Sequence, residues 1–169
     1  MKKTLIELNA LSQAEFVQLL GGVYEHSPWV AERSWAARPF ADHESLLMAL
    51  RQTLDQAKPA EQLALIRAHP DLAGKAALAG ELTTASTREQ ASAGLDQCSH
   101  EELSRFHELN AAYQARFGFP FIMAVKNATR QQILAGFETR LEHSPEQEFT
   151  TALAQINRIA AFRVQDLIH

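Results

Sequence analysis

Repeated helix-start signals constrain the fold of this chain more than any other feature of its sequence. A Ser, Thr or Asp before apolar residues at helical spacing can cap the first free N–H groups of a helix, and Pro is favoured at the first helical position. Only the apolar run at 119–125 is typical of an extended segment. We therefore predict an all-α bundle of about eight helices, with one short extended segment near 119–125. The signals are Ser12, Ser27-Pro28, Asp42, Pro59, Ser86, Ser99, Thr129 and Ser144-Pro145.

Length and charge narrow the classes of protein further. The 169 residues fit one domain, 1–169, that is long enough to bury a core. A formal net charge of −4 without a basic run argues against nucleic acid as a partner. No apolar signal-peptide segment follows Lys3, and no stretch approaches the roughly 18 apolar residues of a membrane span. The single Cys98 is typical of a reducing compartment. We predict a cytoplasmic protein that binds neither nucleic acid nor membranes.

The apolar periodicity lapses between His69 and Gln90, where the sequence reads HPDLAGKAALAGELTTASTREQ. A long polar connection that contains glycine is more often functional than idle. Because the residue before a proline avoids the α region, the preceding helix should end near His69. A helix C-terminus favours the charged imidazolium. This position suits an acid–base group, and it equally suits a simple C-terminal charge partner.

One charged residue interrupts the apolar stripe of the last predicted helix. Arg163 lies on that stripe, and an unpaired buried guanidinium is costly. It is either half of a structural ion pair with a core carboxylate or an anion-binding group in a pocket, and the pattern leaves both open. Ser86 and Glu89 are similarly explained as a capping box, without any chemistry. The apolar stripe consists of Phe149, Leu153, Ile156, Ala160 and Leu167.

The histidines give no sign of a metal centre. None of the seven is paired in an H-x-x-x-H or H-E-x-x-H arrangement, which are the spacings that place two ligands on one helix face. We therefore predict no metal site.

Four ordered motifs resemble those of the 2-oxo-4-hydroxy-4-carboxy-5-ureidoimidazoline (OHCU) decarboxylase family, which acts last on the route from urate to allantoin. The first is HPDLxG at 69–74, and the second is SxxEQxxAGL at 86–95. The third is LNxxYxxxFGFPFI at 109–122, and the fourth is RIAxxR at 158–163. The resemblance extends over essentially the whole chain.

The resemblance implies an all-helical homodimer that forms (S)-allantoin without a metal or organic cofactor. By the same resemblance, His69 is the general acid/base, Glu89 is the carboxylate that engages the ureidoimidazoline substrate, and Arg163 binds an anionic group of that substrate. The remaining pocket residues that it implies are Pro70, Ser86, Thr87, Arg88, Gln90, Phe121, Ile122, Met123, Ala124 and Val125.

Two other functions remain as alternatives. One is a cofactor-free lyase or hydrolase that acts on another small ureido acid. The other is a helical interaction module whose polar loop binds a partner protein.

Overall fold

Local capping accounts for where most helices begin. In the computed structural model, which describes residues 1–169 apart from the side chains of residues 75 and 76, Ser12 accepts a hydrogen bond from the Glu15 N–H at 3.3 Å. The Glu15 carboxylate accepts from the Ser12 N–H at 2.8 Å, which completes a capping box. Capping boxes also begin the helices after Asp42, Ser99 and Thr129. These four predicted helix starts are confirmed.

The chain forms two compact units. The first unit contains residues 1–68 and 157–169, and the second contains residues 69–156. The single domain predicted for 1–169 stays a prediction.

The first unit contains five α-helices and the short 3₁₀ helix Trp35–Ala37 before residue 68, together with the last part of the C-terminal helix. Their apolar faces supply its buried side chains, among them Phe16, Val30 and Leu50. The predicted cap at Ser27 is wrong, because Pro28 occupies the N-cap of α3 and Ser27 donates its hydroxyl to the Glu25 carbonyl instead. The helices are α1 (Leu5–Asn9), α2 (Gln13–Leu20), α3 (Trp29–Ser34), α4 (His43–Asp55) and α5 (Pro59–Arg67).

The second unit is built from the remaining helices and an aromatic cluster. Phe121 stacks on Phe137 with ring centroids 3.7 Å apart, and Tyr113 meets Phe121 edge-on at 5.4 Å. Gly118 ends α8 in the left-handed region, with φ of 75°, as its sequence position predicts. The helices are α6 (Lys75–Leu78), α7 (Thr84–Ser92), α8 (His100–Phe117), α9 (Arg130–Leu141) and α10 (Pro145–Leu167), of which residues 157–167 belong to the first unit.

The all-α prediction is confirmed. Within the described chain, segment 119–125 belongs to no helix and no strand ladder, and the one β-type pairing is an isolated bridge between Lys3 and Ile168. No helix in the part of the chain that the structure describes is both long and apolar enough to cross a membrane.

Candidate active site

The bend that carries His69 follows directly after α5. That helix ends at Arg67, as the proline at position 70 predicts, and His69 is buried with 8% of its surface exposed. Ala73 has a φ of 52°, a conformation that a non-glycine residue adopts only when its surroundings hold it. At Gly74, an added Cβ would lie 2.7 Å from the Asp71 Cβ, so the chain turns too tightly there for a side chain.

Two amide side chains hold this bend in place. The Gln90 Oε1 accepts from the Ala73 N–H at 3.0 Å, and the Gln90 Nε2 donates to the Asp71 carbonyl at 3.3 Å. From α8, the Asn110 Nδ2 donates to the Leu72 carbonyl at 2.9 Å. Backbone groups at three consecutive residues are therefore satisfied by α7 and α8, which fixes the conformation of the loop after His69. The sequence motifs include Asn110, but its role as a clamp was missed.

The start of α7 differs from the prediction. Thr83 is the N-cap, and its hydroxyl accepts from the Ser86 N–H at 3.2 Å. The expectation that Ser86 caps this helix and that Glu89 lies in its first turn is therefore wrong. Because Ser86 does not cap the helix, the capping explanation for the Ser86–Glu89 pair no longer applies.

Helical spacing separates the candidate residues of α7 into two faces. Ser86 and Gln90 are buried, and Glu89 is half-buried between them in the sequence, so the three share one face at i, i+3 and i+4. Thr87 and Arg88 are exposed on the other side, and the Thr87 hydroxyl donates to the Thr83 carbonyl at 2.9 Å. Ser86, Glu89 and Gln90 therefore form the less exposed face of this part of α7.

In the bend after His69, the Asp71 carboxyl has a shifted pKa. Burial raises its pKa, while a hydrogen bond with Gln114 and the nearby His107 oppose the rise. Among the described residues, the Asp71 Oδ1 and the Asn110 Oδ1 are buried without a hydrogen-bond partner. The charged form of Asp71 is therefore poorly compensated.

The predicted pocket segment lies between α8 and α9. Phe121, Ile122, Ala124 and Val125 are buried, whereas Met123 is partly exposed. No group of three or more His, Cys, Asp or Glu side chains that could hold a metal ion occurs among the described side chains.

Arg163 lies in the first unit, on α10, and is 7% exposed. Its Nη1 is 2.9 Å from the Oε2 of the buried Glu25 and donates to the Gly22 carbonyl at 3.2 Å. The structural ion pair that the sequence left open is therefore present. The assignment of Arg163 to a substrate anion stays a prediction.

Comparison with known proteins identifies the family. Residues 9–165 match the family model described as OHCU decarboxylase. This chain belongs to the OHCU decarboxylase family. The match contains all four motifs quoted from the sequence, and it confirms the resemblance.

Individual relatives agree with the family match. The chain is 44% identical over 163 residues to a protein of Haloferax volcanii named 2-oxo-4-hydroxy-4-carboxy-5-ureidoimidazoline decarboxylase, covering 96% of this chain and 95% of that one. A protein of the same name from Halalkalicoccus jeotgali is 44% identical over 164 residues, with coverage of 97% and 91%. A solved structure named (S)-allantoin synthase is 35% identical with a TM-score of 0.78, covering 99% of this chain. This chain spans 54% of that solved chain.

Burial of Asp71 predicts a pH-dependent stability. The pKa of the Asp71 carboxyl is higher in the folded chain than its ordinary value of 3.8. As the pH rises, the unfolded chain therefore loses the Asp71 proton at a lower pH than the folded chain does. The wild-type chain therefore loses stability relative to Asp71→Asn as the pH rises through this window, and the deficit persists at neutral pH. Urea unfolding at a series of pH values between about 3 and 7 measures the difference.

The control is Asp166→Asn, which removes one exposed carboxylate from α10. A stability difference between wild type and Asp71→Asn that stays constant across this pH range would contradict the prediction.

Proposed function

We propose that this chain decarboxylates OHCU to (S)-allantoin, the third step of urate degradation. The observation that carries the proposal is the family match over residues 9–165, which includes His69, Glu89 and Arg163. The burial of His69 beside a bend held by Gln90, and the shared face of Ser86, Glu89 and Gln90, support preorganised pocket residues on this part of the chain.

The substrate can supply its own electron sink. In OHCU, the carboxylate is attached to C4, and the adjacent C5 forms a C=N bond with a ring nitrogen. When the bond between C4 and the carboxylate breaks, its electron pair forms a C4–C5 double bond. The π electrons of the C=N bond then move to the ring nitrogen, which takes a proton. The 4-hydroxyl then loses its proton to become a carbonyl, and C5 takes a proton. The net reaction consumes one proton and releases CO₂, so we propose that no metal or organic cofactor is required.

His69 is the proposed general acid/base, because an imidazole can exchange a proton near neutral pH. Delivery of the proton to one face of C5 yields (S)-allantoin, whereas decay in solution yields a racemate. Glu89 is the proposed carboxylate that engages the substrate, since it is half-buried on the same face as two buried polar side chains.

Arg163 is proposed to bind the substrate carboxylate, because a guanidinium offers paired donors in the geometry of a carboxylate. Its pair with Glu25 supports the role by fixing the orientation of the guanidinium. The other proposed pocket residues are Pro70, Ser86, Thr87, Arg88, Gln90 and the segment from Phe121 to Val125.

The activity is tested by generating OHCU in situ from urate with urate oxidase and hydroxyisourate hydrolase. Circular dichroism then follows the formation of (S)-allantoin. A rapid signal that depends on this protein is expected. A slow, optically silent decay equal to the protein-free control would overturn the proposal, and other ureido acids would then be screened.

Loss of the proposed acid–base group should abolish this signal. We expect His69→Gln to lower kcat/KM by about 10²–10⁴-fold, the usual contribution of a positioned proton-transfer group. Glu89→Gln should also lower kcat/KM, because it removes the carboxylate that is proposed to engage the substrate. Thermal unfolding should show that both variants are folded. The matched controls are His100→Gln and Glu101→Gln, which change exposed side chains at the start of α8. Activity of His69→Gln equal to that of its control would remove His69 from the mechanism.

Arg163→Lys separates substrate binding from a structural role. Lysine can keep the ion pair with Glu25 but cannot offer a carboxylate two parallel donors. We expect KM to rise by about tenfold or more while the variant stays folded, since an interaction of roughly 1.4 kcal/mol is lost. An unchanged KM together with a lower unfolding temperature would assign Arg163 a structural role alone.

We also propose a cytoplasmic homodimer, as the family resemblance implies. Multi-angle light scattering of the purified protein is expected to give twice the 18.8 kDa mass of one chain. A mass of one chain at micromolar concentration would exclude a stable dimer.

A further inference from the structure

A fully buried carboxylate lies in the second unit, outside the proposed pocket residues. Glu148, on α10, is 0% exposed. Its Oε1 accepts from the Tyr113 hydroxyl and from the Arg140 Nε, the latter at 2.8 Å. Its Oε2 lies 2.9 Å from the His143 Nδ1. Burial, and after it the hydrogen bond from Tyr113 to Glu148, raises the pKa of Tyr113, so the phenol keeps the proton that it donates.

Arg140 connects this carboxylate to the irregular segment 119–125. While its Nε donates to Glu148, its Nη1 donates to the Ile122 carbonyl. The guanidinium carbon also lies 4.3 Å from the centroid of the Phe121 ring. Glu148 therefore fixes the orientation of a guanidinium whose second edge holds a backbone group of the segment.

Gln155 holds the same segment two residues further on. Its Oε1 accepts from the Ala124 N–H at 2.9 Å. The segment has no strand partner among the described residues, so these side chains replace the hydrogen bonds that a sheet would provide.

Because peptide groups are planar, these two contacts also fix the directions of the Met123 N–H and C=O. In a trans peptide group the C=O and N–H point in opposite directions. The Ile122 carbonyl faces Arg140, so the Met123 N–H of the same peptide group points away from Arg140. The Ala124 N–H faces Gln155, so the Met123 carbonyl points away from Gln155. Met123 is also the one partly exposed residue between Phe121 and Val125.

We propose that Glu148, Arg140 and Gln155 are positioning residues that fix the two peptide groups flanking Met123, so that the Met123 N–H and C=O bind a polar group of the substrate. This inference rests on the proposed function. A donor and an acceptor held at fixed directions suit the ureido or ring amide groups of a ureidoimidazoline, each of which carries N–H and C=O groups of its own. Fixing them before binding avoids the ordering cost at the moment of binding.

Gln155→Met is the sharpest test, because methionine keeps the side-chain length and removes the acceptor. The matched control is Gln165→Met on an exposed position of α10. We expect Gln155→Met to raise KM by about tenfold, as loss of a preorganised contact does, with kcat within about twofold. A merely structural effect would instead lower the folded fraction, and with it the apparent kcat, at an unchanged KM.

Arg140→Lys tests the other contact with the segment, the one to the Ile122 carbonyl. A lysine ammonium can pair with Glu148 but is too short and compact to reach the Ile122 carbonyl at the same time. We expect the same rise in KM from this variant. Tyr113→Phe removes one donor to Glu148 and leaves Arg140 in place, so a smaller rise is expected.

Hydrogen exchange of the Ala124 and Met123 amides provides a readout that does not depend on turnover. Exchange at Ala124 should accelerate in Gln155→Met and stay at the wild-type rate in Gln165→Met. Addition of (S)-allantoin should shift the Met123 amide resonance of the wild-type protein, and should shift it less in Gln155→Met.

The outcomes separate the two proposals. An active wild-type enzyme whose KM is unchanged by Gln155→Met and Arg140→Lys would overturn the positioning role and leave the decarboxylase intact. A wild-type chain without activity would overturn the proposed function and the substrate contact of Met123 together. Unaltered exchange at Ala124 in Gln155→Met would overturn the positioning role of Gln155 in either case.

Discussion

The arrangement of residues 69–156 depends most on the buried carboxylate of Glu148. An ionised group without exposure is tolerated only when donors surround it, and here three side chains do so. Those donors come from α8, from α9 and from the turn after α9. On α8, Tyr113 lies one turn beyond Asn110, so a single helix face contacts both this carboxylate and the bend after His69. Charge burial and site geometry are thus linked through α8.

The sequence predicted those features of the fold that depend on neighbouring residues. A capping box spans four residues, so Ser12, Asp42, Ser99 and Thr129 could each be assigned from the local sequence. Ser86 was misassigned because its neighbourhood contains several residues that can cap a helix, and the entry of the chain into α7 selects Thr83. Pattern alone does not distinguish between such adjacent candidates.

Long-range partners could not be predicted in this way. The interruption of an apolar stripe showed that Arg163 needs a partner, but nothing near it in sequence pointed to Glu25. Arg140 and Glu148 raised no expectation, because a charged residue near a helix end is usually solvated. The helix end at His69 suited an acid–base group without requiring one, while the assigned roles of His69 and Glu89 came from family resemblance. Residue patterns therefore bounded the fold better than the site.

The amide of Gln90 makes the bend sensitive to a change of one atom. Its oxygen accepts from Ala73 and its nitrogen donates to the Asp71 carbonyl, so each end is matched to a partner of opposite hydrogen-bonding type. Deamidation, or the nearly isosteric Gln90→Glu, would replace that donor with an oxygen facing a carbonyl oxygen. Slow chemical ageing at this amide would therefore distort the bend that carries His69 without altering the size of any side chain.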